Sequence, residues 1–447
     1  VLDDQAEIVR AIDRGILRAP LSAISFDLAG SGYVEEEWFA SGIAHSFEAV
    51  SMPSDGRWTI EQATSAGYRT RILTRLPSDP AHFNGTVVVE WMNVSSGESA
   101  PDWDYLNPML MREGFGYVAV SAQRIAISGG PPLIGSSFEG SATGLANTDP
   151  DRYGSLHHPG DEYSFDLFAQ IGQSVAANSG GVTGILSPDH VVATGESQSA
   201  YFLTTFANAV QPIGSPFDGI FLHSRGGSVA PLDGGPIDDD DADCVQIRDD
   251  IDVPVFVFET QTDLIELRYS RARQENTDHI RTWEVAGTAH ADAYLVGPAV
   301  RFLGCTSPVN DGPQHEVIQA AFTAFNEWVV TKKVPPCPEP LAIDRTTDAA
   351  LVLDEHGNAL GGVRTPAVDV PTSILSGSAP EGASEICSLF GETTIFTPMT
   401  LARIYGSKAG YLTRFSSSLD AAIDGGYILA ADRSSLLARA RSVEFPD

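Results

Sequence analysis

Gly195-Glu196-Ser197-Gln198-Ser199 puts a serine between small residues two positions to either side. That spacing suits nucleophilic chemistry. A sharp turn from a strand into a helix holds such a serine in a strained backbone with its hydroxyl exposed, and small neighbours relieve the crowding. Ser199 stands where the usual pattern has glycine. A string of this form arises by chance about once in a chain so rich in Gly and Ser, so its context carries the weight. The apolar run His190–Gly195 precedes it, and Leu203, Phe206, Ala207 and Val210 follow at helical spacing. Ser197 is read as a nucleophile, against the plainer reading of a turn serine.

A serine hydroxyl needs a base, and the base needs an acid to orient it. In a strand–turn–helix setting the chain order is serine, acid, histidine. Of the ten histidines, His290 stands out in WEVAGTAHAD, where a strand ends and a glycine turn follows; a loop histidine is the plainer alternative. The acid should follow the run Val253–Glu259, where Glu259 and Asp263 compete. Asp263 is preferred because it falls at the crest of the following loop, although Asp also serves as a cap for the helix beginning LIELRYSRA. The negative charge that develops on the substrate carbonyl needs N–H donors. The backbone N–H of Gln198 is one, and a second is expected within Met92–Ser95, with Asn93 the residue to watch.

Other groupings carry less. Adjacent His157 and His158 cannot easily face one ion, and the acidic run Asp238–Asp241 lacks the spaced ligands and turn glycine of a calcium loop, so no metal is expected. Arg225, in HSRGG, is read as pairing with the abundant carboxylates. Gly30-Ser-Gly32 lacks the third glycine and following helix of a nucleotide fingerprint, and no cofactor is implied.

The elements that must position these residues are legible as short runs bounded by turns: Thr86–Trp91, Gly116–Ser121, His190–Gly195, Asp218–His223, Val253–Glu259 and Arg281–Val285. Several are apolar throughout, as in strands buried on both faces of a parallel sheet. Helical patterns lie between them at Ser164–Ala177 and Ser197–Val210. The expectation is a doubly wound α/β sheet, an α/β-hydrolase core with a mostly parallel sheet and helices on both faces. Glu36–Val50 and Tyr68–Leu76 alternate and are expected as antiparallel edge strands. A core over residues 1–345 with excursions at about 122–161 and 224–252, and a helical extension over 346–447 packed on it, is the expected organisation. The excursions follow strands and should emerge where open α/β sheets bind ligands.

With 27 Lys+Arg against 59 Asp+Glu, the net charge of -32 repels phosphate backbones, so nucleic acid is an unlikely partner class. No apolar run reaches the roughly 20 residues of a membrane span. The start at Val1 fits a removed leader peptide or a trimmed chain, and with the acidity and four cysteines it leads to an expected secreted or periplasmic location. The cysteines are two cystines or four thiols; if cystines form, Cys244 with Cys305 is the first pairing expected.

The segments FNGTVVVEWMNVSSG, GFGYVAVSAQ, VVATGESQSA and WEVAGTAHAD, with NDGPQH and GGVRTPAVDVP downstream, resemble the bacterial alpha/beta hydrolase domain family over nearly the whole chain. The resemblance implies the fold and an esterase-like activity, with the triad carried onto Ser197, Asp263 and His290. The expected function is hydrolysis of a small-molecule carboxylic ester through an acyl-enzyme. Acyl transfer by the same acyl-enzyme, or a non-catalytic binding protein on a hydrolase scaffold, are the alternatives.

Overall fold

The eight runs and one further strand at Glu7–Arg10 form one large sheet in the computed structural model, which describes residues 4–11, 22, 26–95, 97–130, 143–237, 244–344 and 350–446. Its strands are β1 (Glu7–Arg10), β2 (Tyr33–Ser51), β3 (Thr59–Pro77), β4 (Thr86–Trp91), β5 (Gly116–Val120), β6 (His190–Glu196), β7 (Gly219–His223), β8 (Val255–Glu259) and β9 (Ile280–Glu284). Their order is β1-β2-β3-β5-β4-β6-β7-β8-β9. β5, β4, β6 and β7 run parallel to their neighbours in that series. β1, β2 and β3 pair antiparallel, and β3 joins β5 antiparallel. This is a large, mostly parallel sheet with many helices, as expected of an α/β-hydrolase. The acidic run Asp238–Asp241 and residues 131–142 of the first excursion lie outside the described residues.

By the clustering of its contacts the chain forms two compact units. The first comprises residues 1–256, 271–280 and 329–331; the second comprises 257–270, 281–328 and 332–447. The division passes through β8 and β9.

In the first unit, every residue of β4 is buried, which explains its lack of alternation. Its Trp91 ring lies 4.9 Å from Phe168 and 5.2 Å from Phe202. These rings come from helices α2 (Ser164–Ala176) and α3 (Gln198–Ala209), which follow α1 (Pro101–Glu113) in the chain. Helix α1 stops at Gly114, whose φ of 77° and whose approach to the His82 carbonyl oxygen, 1.8 Å from where a Cβ would stand, both demand glycine.

The second unit contains α4 (Gln261–Ile265), most of α5 (Gln314–Thr331), and the C-terminal helices α6 (Pro398–Tyr405), α7 (Lys408–Asp424) and α8 (Arg433–Ser442). Leu401, Tyr411, Phe415, Leu419 and Leu436 of the last three meet in one apolar cluster. Two further strands, Ser373–Ser376 and Glu392–Ile395, pair antiparallel beside the helices in sequence. Cys305 and Cys387, 82 residues apart, form a disulfide within this unit, while Cys244 and Cys337 take no part in a disulfide. The expected pairing of Cys244 with Cys305 is thereby corrected: the true partner sits in α-helical turn Glu385–Ser388, in a segment whose polar, turn-rich sequence gives no hint of its neighbour. No helix among the described residues is long and apolar enough to cross a membrane.

Candidate active site

Ser197 is the last residue before α3 and has φ 56° and ψ -123°, a conformation that side chains other than glycine rarely adopt. The strain is held from two sides. Its N–H donates to the His223 carbonyl at the end of β7, 2.9 Å away. The small residues around it are required by contact: a Cβ on Gly195 would stand 2.9 Å from the Ser199 Cβ and 3.0 Å from Leu203 Cδ1. Ser199 is fully buried, so it satisfies the need for a small side chain as glycine would.

The residue following the nucleophile position opens α3, where first-turn N–H groups have no intrahelical partner. The Gln198 N–H makes no hydrogen bond to a described residue. Its side chain is tied away, with Nε2 donating to Gln123 Oε1 at 2.8 Å.

Asn93 has a different task from the one expected. Its N–H donates to the Ser99 carbonyl at 2.9 Å, and its side-chain amide donates to the Glu196 carbonyl at 3.0 Å and to Glu196 Oε2 at 3.1 Å. Both N–H sources are spent, so Asn93 braces the turn and offers no donor to a ligand. The Asn93 Oδ1 also accepts the Ser95 N–H, and the Met92 N–H goes to Val120. Val94 remains: its N–H makes no hydrogen bond to a described residue, and the residue is 2% exposed.

Asp263 and His290 come together in the second unit. His290 Nδ1 lies 2.6 Å from Asp263 Oδ1, and both residues are buried. Asp263 is also the third residue of α4 in a capping box with Thr260. The two tasks use different oxygens: Oδ2 accepts the Thr260 N–H at 2.6 Å and the Thr260 hydroxyl at 2.7 Å, leaving Oδ1 to the imidazole. Burial alone would raise the Asp263 carboxyl, but the His290 charge and hydrogen bonds from His290 and Thr260 outweigh it and hold the group below its ordinary value. An ionised Asp263 fixes the His290 proton on Nδ1. The His290 N–H donates to the Thr262 hydroxyl at 3.1 Å, which in turn donates to the Gly377 carbonyl, so the loop after β9 is tied to α4. Glu259, the rival acid, is fully buried at the end of β8, where its carbonyl accepts the Val285 N–H.

A second Asp–His pair went unread in the sequence. In the first unit, His223 Nδ1 lies 2.8 Å from Asp102 Oδ1, and Asp102 Oδ2 accepts the Thr194 hydroxyl at 2.5 Å. Both side chains are fully buried. Glu90, beside them, takes the first N–H groups of α1 and the Tyr117 hydroxyl; burial and then the nearby Asp102 push its carboxyl well up. The one available signal was a histidine at the carboxyl end of a strand. Arg225 is buried and donates to main-chain oxygens of Gly226 and Val245, in keeping with a structural role.

The model of the Alpha/beta hydrolase domain family matches residues 8–438. Similar solved structures include an alpha/beta hydrolase enzyme from a Medee basin deep-sea metagenome library, at 9% identity, covering 64% of this chain and 98% of its own, with a TM-score of 0.32. An esterase structure from the fungus Rhizomucor miehei is 9% identical, covering 65% and 86%, with a TM-score of 0.32. A serine hydrolase without lid from Xanthomonas campestris is 12% identical, covering 66% and 97%, with a TM-score of 0.31. Comparison with curated proteins found no match.

Proposed function

The chain belongs to the alpha/beta hydrolase domain family, and from that premise we propose that it is a serine hydrolase of carboxylic esters with Ser197 as nucleophile, His290 as base and Asp263 as orienting acid. The observation that carries the proposal is the backbone of Ser197 at the junction of β6 and α3: other serines of the chain share its positive φ, but with φ 56° and ψ -123° it lies outside the left-handed helical basin that the turn residue Ser215 occupies at φ 41° and ψ 49°. The hydrogen-bonded Asp263–His290 pair, following Ser197 in the order acid then histidine, supports the rest.

In the proposed cycle, Ser197 Oγ attacks the ester carbonyl carbon while its proton passes to His290 Nε2. The carbonyl oxygen becomes an oxyanion. The N–H groups of Gln198 and Val94 are the proposed donors to it, because both are uncommitted among the described residues. The tetrahedral centre collapses, the C–O bond to the alcohol breaks, and His290 returns the proton to that alcohol. Water then attacks the acyl-enzyme, giving one proton to His290, and the acid product leaves as Ser197 recovers its proton. Asp263 holds the imidazolium throughout.

Hydrolysis of p-nitrophenyl esters of rising acyl length by the native protein and by Ser197→Ala tests the reading. The native protein should turn over at least one member, and the variant should lose several orders of magnitude in kcat. Equal turnover by both would overturn the assignment of Ser197.

A further inference from the structure

The second unit encloses a cavity of about 450 Å³ that none of the proposed catalytic residues lines. Its volume falls in the roughly 300–1,000 Å³ range of small-molecule sites. Leu375, Leu401, Phe415 and Ile428 supply apolar wall, and all but Ile428 come from different secondary-structure elements of the C-terminal part. Ile395, which also lines it, is 75% exposed, so the opening has an apolar rim. Such surface left uncovered is costly in water and marks binding sites.

Tyr411 supplies the polar handle. It lines the cavity and is 2% exposed, yet its hydroxyl makes no hydrogen bond to a described residue. The neighbouring Tyr405 hydroxyl, by contrast, is satisfied by the Pro371 carbonyl at 2.8 Å. That hydroxyl is not closed off from solvent, so a ligand acceptor there replaces a bond to water and contributes about 0.5–1.5 kcal/mol net. The charges around the cavity select further. Arg439 is engaged by Glu316, while Asp311 and Glu444 add two exposed carboxylates to the lining. No positive charge is left over for an anion.

We propose that this cavity is a binding site for an uncharged aliphatic ketone or ester of about ten to fifteen non-hydrogen atoms, its chain among the apolar walls and its carbonyl oxygen accepting from the Tyr411 hydroxyl. The site is separate from the proposed hydrolytic residues and does not depend on their assignment.

Titration of the native protein with the uncharged probe N-phenyl-1-naphthylamine, displaced by 2-undecanone and by decanoate, tests it. The ketone cannot be hydrolysed, so turnover does not enter. One equivalent of probe should bind with a blue shift, and 2-undecanone should displace it while decanoate does so at least tenfold less well. Tyr411→Phe should keep probe binding and weaken the ketone roughly three- to tenfold, the range of one hydrogen bond. Thr372→Trp, at a partly exposed lining position, should take up part of the space and weaken probe binding at least tenfold, with an unchanged melting temperature as the check on folding. Probe affinity unchanged by Thr372→Trp, decanoate that competes as well as the ketone, or a ketone affinity indifferent to Tyr411→Phe would each overturn the proposal.

Discussion

Replacing Asp263 with Asn removes one oxygen where three donors converge. Thr260 presents its N–H and hydroxyl to Oδ2, and His290 presents Nδ1 to Oδ1. An asparagine that turns its amide nitrogen toward Thr260 sets a donor against a donor in a fully buried site, costing about 1–3 kcal/mol. The opposite orientation is therefore favoured, with the nitrogen facing His290. The imidazole must then accept on Nδ1 and carry its proton on Nε2, where it can no longer take the proton of Ser197. The proposed chemistry predicts a loss in kcat of about 10³–10⁴-fold, or roughly 4–5 kcal/mol in the barrier, with little change in KM. Steady-state hydrolysis of p-nitrophenyl acetate at neutral pH measures it, with circular dichroism to confirm folding. Glu259→Gln is the contrast, with an expected loss in kcat below about tenfold. A folded Asp263→Asn protein that keeps kcat within tenfold of native, or a large loss confined to Glu259→Gln, refutes the reasoning.

Four further outcomes are expected. His158 accepts the Gly160 N–H on Nδ1 and donates from Nε2 to the Ala122 carbonyl, and burial pushes it down to about 4. Because the folded value lies below the unfolded value of about 6.5, its stability contribution is full above that pH and is lost as pH falls toward 4, about 2 kcal/mol between pH 7 and pH 5. Urea midpoints at the two pH values should show this loss reduced in His158→Gln, and an identical pH dependence would count against it. Asp102→Asn disturbs the hydrogen bond to His223 in a fully buried site and should destabilise by about 1–3 kcal/mol, yet leave kcat of the folded fraction within a fewfold; a 10³-fold loss there would transfer the catalytic pair to His223. Gly195→Ala should lower kcat at least tenfold by pressing on Ser199 and Leu203, and unchanged kinetics would show that the turn gives way freely. Opening the Cys305–Cys387 loop of 82 residues by Cys387→Ser should cost up to about 4 kcal/mol, read as a lower melting temperature that reductant no longer shifts; a melting temperature equal to that of the oxidised native protein would contradict it.

The sheet was legible because its central strands are buried on both faces, so that TVVVEW and HVVATG admit little but a strand in a parallel sheet. The long edge strands β2 and β3 were legible in part by alternation, although each extends beyond the alternating run. The strand–Ser197–helix junction followed from small residues at two positions. What stayed hidden depended on partners distant in sequence. Asp102 and His223 are 121 residues apart, and neither carries a local motif. The task of Asn93 is fixed by Ser99 and Glu196, and a residue type cannot announce that its N–H groups are spent. Cysteine pairing likewise follows from three-dimensional neighbourhood, which four unpatterned cysteines do not encode. Between Glu259 and Asp263 the sequence offers only a preference, since both follow the same strand; the division of the Asp263 oxygens between Thr260 and His290 is a fact of side-chain geometry.

The most direct test of the central claim is reaction of the native protein with a fluorophosphonate, read by intact mass and by mapping the modified peptide. A single adduct on Ser197, absent in Ser197→Ala, is the result the account predicts. An unmodified native protein, or an adduct that persists in Ser197→Ala, would contradict it.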